Sequence, residues 1–322
     1  MFITDLDGTL FTDDKKINHR DFQSLERLGE MGVKRVFATG RSLYSFQQAV
    51  QKMGFTPYCE DLPVDYLIFS TGAGIIQFQK NKMEIMDERK GESTDESKME
   101  IIDENKIESA DSKILRKHSL ESDDVRYISD YFDSLKLDYM IHRPIPDTPY
   151  CIYRQQSKWI NFDFSSRIKL YSDFCTQINY TGSVRDFGQA TELLTIVPAE
   201  QGHDIADMIH EALPQFSVIR ATSPLDGESI WIEVFNKTVS KSQAVSWLAN
   251  QLDIRQQDVA AIGNDYNDID MLNWAGHGFV MKNTPKKLKE RLRDKQKFTE
   301  VASNNDCGVS EAISFLGYYS FF

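Results

Sequence analysis

The sequence predicts an α/β fold: a doubly wound, mostly parallel sheet forming a core, with an α+β domain inserted into it. Three observations carry this. Short apolar runs alternate with helical patterns near both ends of the chain, and several of those runs stop at a turn carrying Gly, Thr or Asp. The middle has a different texture, with longer alternating stretches and hairpin signals.

At the amino end, Phe2-Ile3-Thr4 is an apolar run that ends at acidic residues and Gly8. Phe22, Leu25, Leu28 and Met31 recur three apart, which marks one face of a helix that stops near Gly32. Val33 to Ala38 and Tyr66 to Phe69 are two further strand runs, each ending at a Thr-Gly pair. At the carboxyl end, Ser240 and Gln243 read as a capping box, followed by Ala244, Val245, Leu248, Ala249 and Leu252 on one helix face. Val259 to Ile262, ending at Gly263, and Gly278 to Met281 are buried-strand runs, and a Lys-rich helix is expected from near Pro285.

These patterns assign residues 1–86 and 236–322 to one core and 87–235 to the insert, which contains Tyr150 to Tyr153, Glu192 to Val197 and a helix over Asp204 to Leu213. Residues 82–113 form an acidic linker in which Lys82 to Asp95 matches Lys98 to Asp111 at ten of fourteen positions. Two short copies do not make a solenoid, so a tandem duplication in a solvated connector is the simplest account.

The 322 residues carry 37 Lys plus Arg against 49 Asp plus Glu, a net charge of -12. Such a surface repels nucleic acid, and no segregated basic patch stands out. No apolar run approaches the ~20 residues needed to span a bilayer, so no membrane partner is expected. The amino terminus lacks the pattern of a secretion signal. Cys59, Cys151, Cys175 and Cys307 are scattered, which argues against a disulfide framework or a zinc site and fits a reducing cytoplasmic location.

Chemistry-bearing residues gather at the strand ends. Asp5-Leu6-Asp7-Gly8-Thr9-Leu10 places two carboxylates, one residue apart, in the crevice where open α/β sheets bind ligands. A carboxylate held in line beside a metal can attack phosphorus, and a second can serve as acid and base. Thr39-Gly40-Arg41-Ser42 offers a hydroxyl and backbone N–H groups at a helix start, which suits a phosphate. Lys241 lies in the first turn of a helix, and Gly263-Asn264-Asp265-Tyr266-Asn267-Asp268 ends another strand with carboxylates and amides.

In that order the four motifs resemble the haloacid dehalogenase superfamily, within it the Cof-like phosphatases with an α/β cap. The resemblance extends to Asn283 and to Gly308-Val309, and is weak across the middle. It implies that Asp5 is a nucleophile and a magnesium ligand. It implies that Asp7 supplies a backbone carbonyl to the metal and a side chain for acid–base work, with nearby negative charge expected to raise its pKa. Leu6, Thr39, Gly40, Lys241 and Asn267 would hold the phosphoryl group. Asn264 stands where the family usually has a metal-binding acid, which leaves Asn264, Asp265 and Asp268 as alternatives beside Asp5 and Asp7. Thr71-Gly72-Ala73 departs from the usual Asn-Gly-Ala.

The implied activity is magnesium-dependent hydrolysis of a small phosphorylated metabolite, a sugar phosphate by default, through an aspartyl-phosphate. The alternatives are a phosphomutase using the same nucleophile and a non-catalytic phosphometabolite-binding protein. Arg143, Arg154 and Lys158 are the candidate substrate selectors in the cap.

Overall fold

The computed structural model describes residues 1–56, 61–78, 112–158, 161–179, 182–292 and 297–317. The chain opens with β1 (Phe2–Thr4), α1 (His19–Glu30), β2 (Arg35–Ala38), α2 (Leu43–Lys52), β3 (Tyr66–Phe69), β4 (Gly74–Phe78) and β5 (Ser112–Lys117). It continues with α3 (Ser122–Ser134), β6 (Tyr139–His142), β7 (Cys151–Arg154), α4 (Phe162–Leu170), β8 (Cys175–Gln177) and α5 (Gly182–Arg185). Next come β9 (Glu192–Val197), α6 (Ala199–Ala212), β10 (Phe216–Thr222) and β11 (Ile230–Asn236). It closes with α7 (Lys241–Gln251), β12 (Ala260–Gly263), α8 (Ile269–Trp274), β13 (His277–Met281), α9 (Lys286–Leu292), β14 (Phe298–Val301) and α10 (Gly308–Phe315).

The first sheet has eight strands in the order β14-β13-β12-β1-β2-β3-β4-β5. The six from β14 to β3 are parallel, and β4 and β5 add an antiparallel edge. Helices cover both faces, as the alternating pattern required. Leu25 and Leu28 of α1, Phe46 and Val50 of α2, and Val309 and Ile313 of α10 pack on one face. Ala244, Val245 and Leu248 of α7, Met271 and Leu272 of α8, and Leu288 of α9 pack on the other. Strand order reverses between β1 and β12, so the strand ends diverge there and leave a crevice at their carboxyl edge.

The second sheet, β10-β11-β9-β6-β7-β8, is antiparallel except between β7 and β8. One face buries Ile141, Leu193, Ile232 and Val234 against α3 and α6. The other carries Met140, Leu194, Ile196 and Trp231, packed with Phe164 of α4.

Two differences from expectation stand out. Strand β5 lies inside 87–235 yet pairs with β4 and extends the first sheet. Its adjacent apolar pair, Ile114 and Leu115, flanked by Lys113 and Arg116, suits an edge strand and does not say which sheet it joins. Cys151 and Cys175 form a disulfide, because the parallel pairing of β7 with β8 sets them opposite each other with Cα atoms 4.6 Å apart. Cysteine usage therefore gives no support to a reducing compartment. The duplication at 82–111 lies outside the described residues. Among the described residues, no helix is long and apolar enough to cross a membrane.

Candidate active site

Four strand ends and one helix start converge at the reversal point. Asp5 follows β1, Thr39 follows β2, Thr71 follows β3 and Asn264 follows β12. Two glycines make the approach possible. Gly8 has φ +76, and a Cβ there would come 2.5 Å from Asn264 Nδ2. Gly72 has φ +107, and a Cβ there would collide with the Ser240 carbonyl, so the turn after β3 lies directly against the start of α7. Ser240 caps that helix by accepting from the Gln243 N–H. The next residue, Lys241, is thereby aimed inward and has no exposed surface.

Lys241 Nζ donates to Asp5 Oδ1 and to Asp268 Oδ1, both at 2.7 Å. Asp268 Oδ2 accepts the backbone N–H groups of Asn264 at 2.9 Å and Asp265 at 3.0 Å. Asp268 is thus a fully committed anchor for the lysine and for the turn after β12. Removing one partner from a buried arrangement of this kind costs roughly 3–5 kcal/mol. Burial and the neighbouring Asp268 charge push the Asp5 carboxyl up to about 7, with Lys241 opposing them. Burial alone would lower the Lys241 ammonium, but Asp268 and Asp5 outweigh it and raise it above its ordinary value.

Asp7 departs from expectation. Burial would raise its carboxyl, but Arg41 and Lys15 overcome that and hold it below the usual carboxylate range. Arg41 grips it with two bonds, Nε to Oδ2 at 2.6 Å and Nη2 to Oδ1 at 2.7 Å, while Lys15 Nζ lies 3.2 Å from Oδ1. The expected rise failed because the charges that reach Asp7 most closely are cations.

The loops that carry Gly40, Thr71 and Asn267 come together. A Cβ built on Gly40 would sit 3.5 Å from Thr71 Oγ1 and 3.6 Å from Asn267 Nδ2, which puts the loops after β2, β3 and β12 in one place. Thr39 and Leu6 are buried beneath them. Thr71 stands at the position of the usual asparagine and donates to Glu233 Oε2 of the second sheet at 2.9 Å.

The three candidate metal residues after β12 separate. Asp265 accepts from Thr222 N at 2.7 Å and Thr222 Oγ1 at 3.0 Å, so its carboxylate is spent on tying the core to β10. Asp268 is spent on Lys241 and two N–H groups. Asn264 remains: one atom of its amide head lies 3.0 Å from the Asp7 carbonyl oxygen, 3.3 Å from Asp5 Oδ2 and 2.9 Å from Thr9 Oγ1. As nitrogen, that atom donates to all three. As oxygen, it stands at nearly the separation that neighbouring ligands of an octahedral magnesium have, about 2.9 Å for Mg–O bonds of 2.0–2.1 Å. Asp5 Oδ2, the Asp7 carbonyl and Asn264 Oδ1 therefore fit magnesium. The set contains a single carboxylate, and among the described residues no three acidic, His or Cys side chains cluster as a metal centre.

The proposed selectors lie elsewhere. Arg154 is bound by Asp133 Oδ2 at 2.7 Å, opposite Tyr139 on the helix-covered face of the second sheet. Arg143 and Lys158 are exposed. The face turned toward the core instead carries His142, Glu192 and Glu233, with Arg167 of α4 against it. The sequence signal for the two glutamates was a charge inside an otherwise apolar strand, in Glu192-Leu193-Leu194 and in Trp231-Ile232-Glu233-Val234.

Comparison with known proteins identifies the family and the fold. The family model for haloacid dehalogenase-like hydrolases matches residues 2–110 and 102–313. A candidate phosphatase of Streptococcus pyogenes is 26% identical over 314 residues, covering 96% of this chain and 95% of that one. Among solved structures, the phosphatase BT1666 of Bacteroides thetaiotaomicron superposes with a TM-score of 0.66 at 16% identity, covering 99% of this chain and 95% of its own. The subclass IIB sugar phosphatase BT4131 superposes with a TM-score of 0.65 at 15% identity, covering 99% of each chain.

Proposed function

The chain belongs to the haloacid dehalogenase-like hydrolases and is an enzyme of their phosphatase type, and on that premise we propose that it is magnesium-dependent and hydrolyses a small phosphorylated metabolite through an aspartyl-phosphate on Asp5. The observation that carries the reading is the buried Asp5–Lys241–Asp268 arrangement at the reversal of strand order.

Lys241 fixes Asp5 Oδ1, and the loops that carry Gly40, Thr71 and Asn267 gather at the same edge of the sheet. Phosphoryl transfer is mostly positioning and charge stabilisation. Thr39, the Gly40 backbone and the Asn267 amide orient the phosphoryl oxygens while an Asp5 oxygen attacks phosphorus. The ester P–O bond breaks, its electron pair stays on the leaving oxygen, and Asp7 gives that oxygen a proton. Asp7 then takes a proton from water as the water attacks the phosphorus and releases Asp5. Magnesium, held by Asp5, the Asp7 carbonyl and Asn264, would neutralise phosphoryl charge that otherwise repels the carboxylate. Arg41 and Lys15 hold Asp7 ionised before substrate arrives; the incoming phosphate competes for both cations, and Asp7 then takes up from solvent the proton that it gives to the leaving oxygen.

A sugar phosphate is the substrate we favour, supported by the likeness in fold to the sugar phosphatase BT4131. The test is inorganic phosphate release from a panel of phosphate esters, with magnesium and with chelator. Asp5→Asn should lose about a thousandfold or more in turnover while still folding cooperatively at a lowered midpoint, because Asp268 keeps its bond to Lys241. Near-normal turnover in that variant refutes the assignment, and isomerised sugar phosphate without phosphate release would favour a mutase.

A further inference from the structure

The second sheet presents the site with buried polar groups that its own fold leaves unmatched. Strand alternation puts Glu192 directly opposite His142, and puts Glu233 opposite Leu194, the next residue on the same face as Glu192. Both glutamates are almost fully buried, 7% and 4% exposed. Among the described residues, Glu192 Oε2, Asp163 Oδ1 and Arg167 Nε have no hydrogen-bond partner. The Arg167 guanidinium lies 4.4 Å from the centre of the Trp231 ring and 5.2 Å from that of Tyr171, and its Nη2 is 3.4 Å from His142 Nε2. Each unmet buried polar group costs about 1–3 kcal/mol, and a ligand that supplied the missing bonds to Glu192 and Arg167 would offset that cost.

Their place relative to the phosphate is fixed by one bond. Glu233 Oε2 accepts from Thr71 Oγ1 at 2.9 Å, and that hydroxyl borders Gly40. The carboxylate therefore stands one side chain away from the loop that carries Gly40. A leaving group extending there meets acceptors on Glu192 and Glu233 and a donor on Arg167. Hydroxyl groups, which both donate and accept, satisfy all of these.

We propose that Glu192, Glu233 and Arg167 bind the hydroxyls of a polyhydroxylated, sugar- or polyol-type leaving group and thereby select the ester that is hydrolysed. This rests on the phosphatase reading and assigns its specificity to residues outside the catalytic motifs.

The experiment compares kcat/KM for hexose 6-phosphate and glycerol 3-phosphate with that for butyl phosphate and p-nitrophenyl phosphate, in wild type, E192Q and E233Q. Wild type should prefer the polyol esters to butyl phosphate. Each variant should lower the ratio of polyol ester to p-nitrophenyl phosphate by on the order of tenfold or more, because the amide nitrogen that replaces one carboxyl oxygen can only donate and leaves a substrate hydroxyl that donated there unmatched. A purely structural role would lower all substrates in proportion, and that result overturns the proposal, as does an unchanged ratio or a wild type without the preference. If E233Q fails to fold, E192Q decides, since no bond from Glu192 to the core holds the two sheets together among the described residues. Hydrolysis of p-nitrophenyl phosphate without any shift in ratio sinks this inference alone. No hydrolysis of any ester with magnesium sinks the phosphatase reading together with it.

Discussion

Asn264 concentrates the chemistry of this site in one neutral side chain. Its neighbours, the Asp7 carbonyl and Asp5 Oδ2, are both acceptors, so the amide satisfies them either by donating or by sharing a cation with them. With Asp5 as the only carboxylate in the set, affinity for magnesium should be modest, because affinity follows the charge count of the ligands. Asn264→Asp adds a second charge at the same place, and isothermal titration with magnesium should show binding tighter by on the order of tenfold. Unchanged affinity would mean that the side chain does not face the metal. Asp265 and Asp268 were equally plausible ligands in the sequence. Hydrogen bonds to Thr222, and to Lys241 with two backbone N–H groups, remove them, and neither partner set can be read from a six-residue motif.

Among the elements, the tight turn after β3 and the start of α7 behave as one unit. Gly72 has no room for a side chain against Ser240, and its φ of +107 suits only glycine. Gly72→Ala should destabilise the protein by about 2–3 kcal/mol, measured as the midpoint of urea unfolding. It should also lower turnover, because Lys241 and Thr71 both move with the turn. Full activity at wild-type stability would show that the two elements are not so tightly coupled. The strand ends that carry Asp5, Thr39 and Asn264 were legible because parallel strands bring all their carboxyl ends to one edge, whatever lies between them in the chain. The disulfide of β7 with β8, the Arg41 grip on Asp7 and the sheet joined by β5 were not, since each depends on register or packing between segments whose own patterns do not specify it.

At the scale of the whole molecule, the two sheets enclose a shared set of buried carboxyls, and this makes stability depend on pH. Burial raises Glu192 to about 8, with the Glu233 charge adding to the rise and Arg167 opposing it. Burial raises Glu233 to about 7 against the pull of the Thr71 hydroxyl, Arg167 and Lys241. His142 beside them is neutral, held down to about 3 by burial and Arg167. Since both folded values exceed the ordinary 4.5, the folded state binds more protons than the unfolded one between about pH 4.5 and 8. Stability from this pair is therefore greatest at the acid end of that window and is lost as pH rises through it. E192Q should flatten the decline, leaving the variant about 1–2 kcal/mol better placed at pH 8, relative to pH 5, than wild type. Parallel pH profiles for the two proteins in urea unfolding would contradict this.

The whole account depends on a phosphoryl group passing onto the side chain of the first motif's leading aspartate. Acid quenching of the enzyme during turnover of a good ester with magnesium, followed by peptide mass spectrometry, tests that directly. A phosphoryl adduct on the peptide containing Asp5, absent from D5N, is the predicted result. Steady turnover with no adduct under rapid quench, or an adduct that persists in D5N, would contradict it.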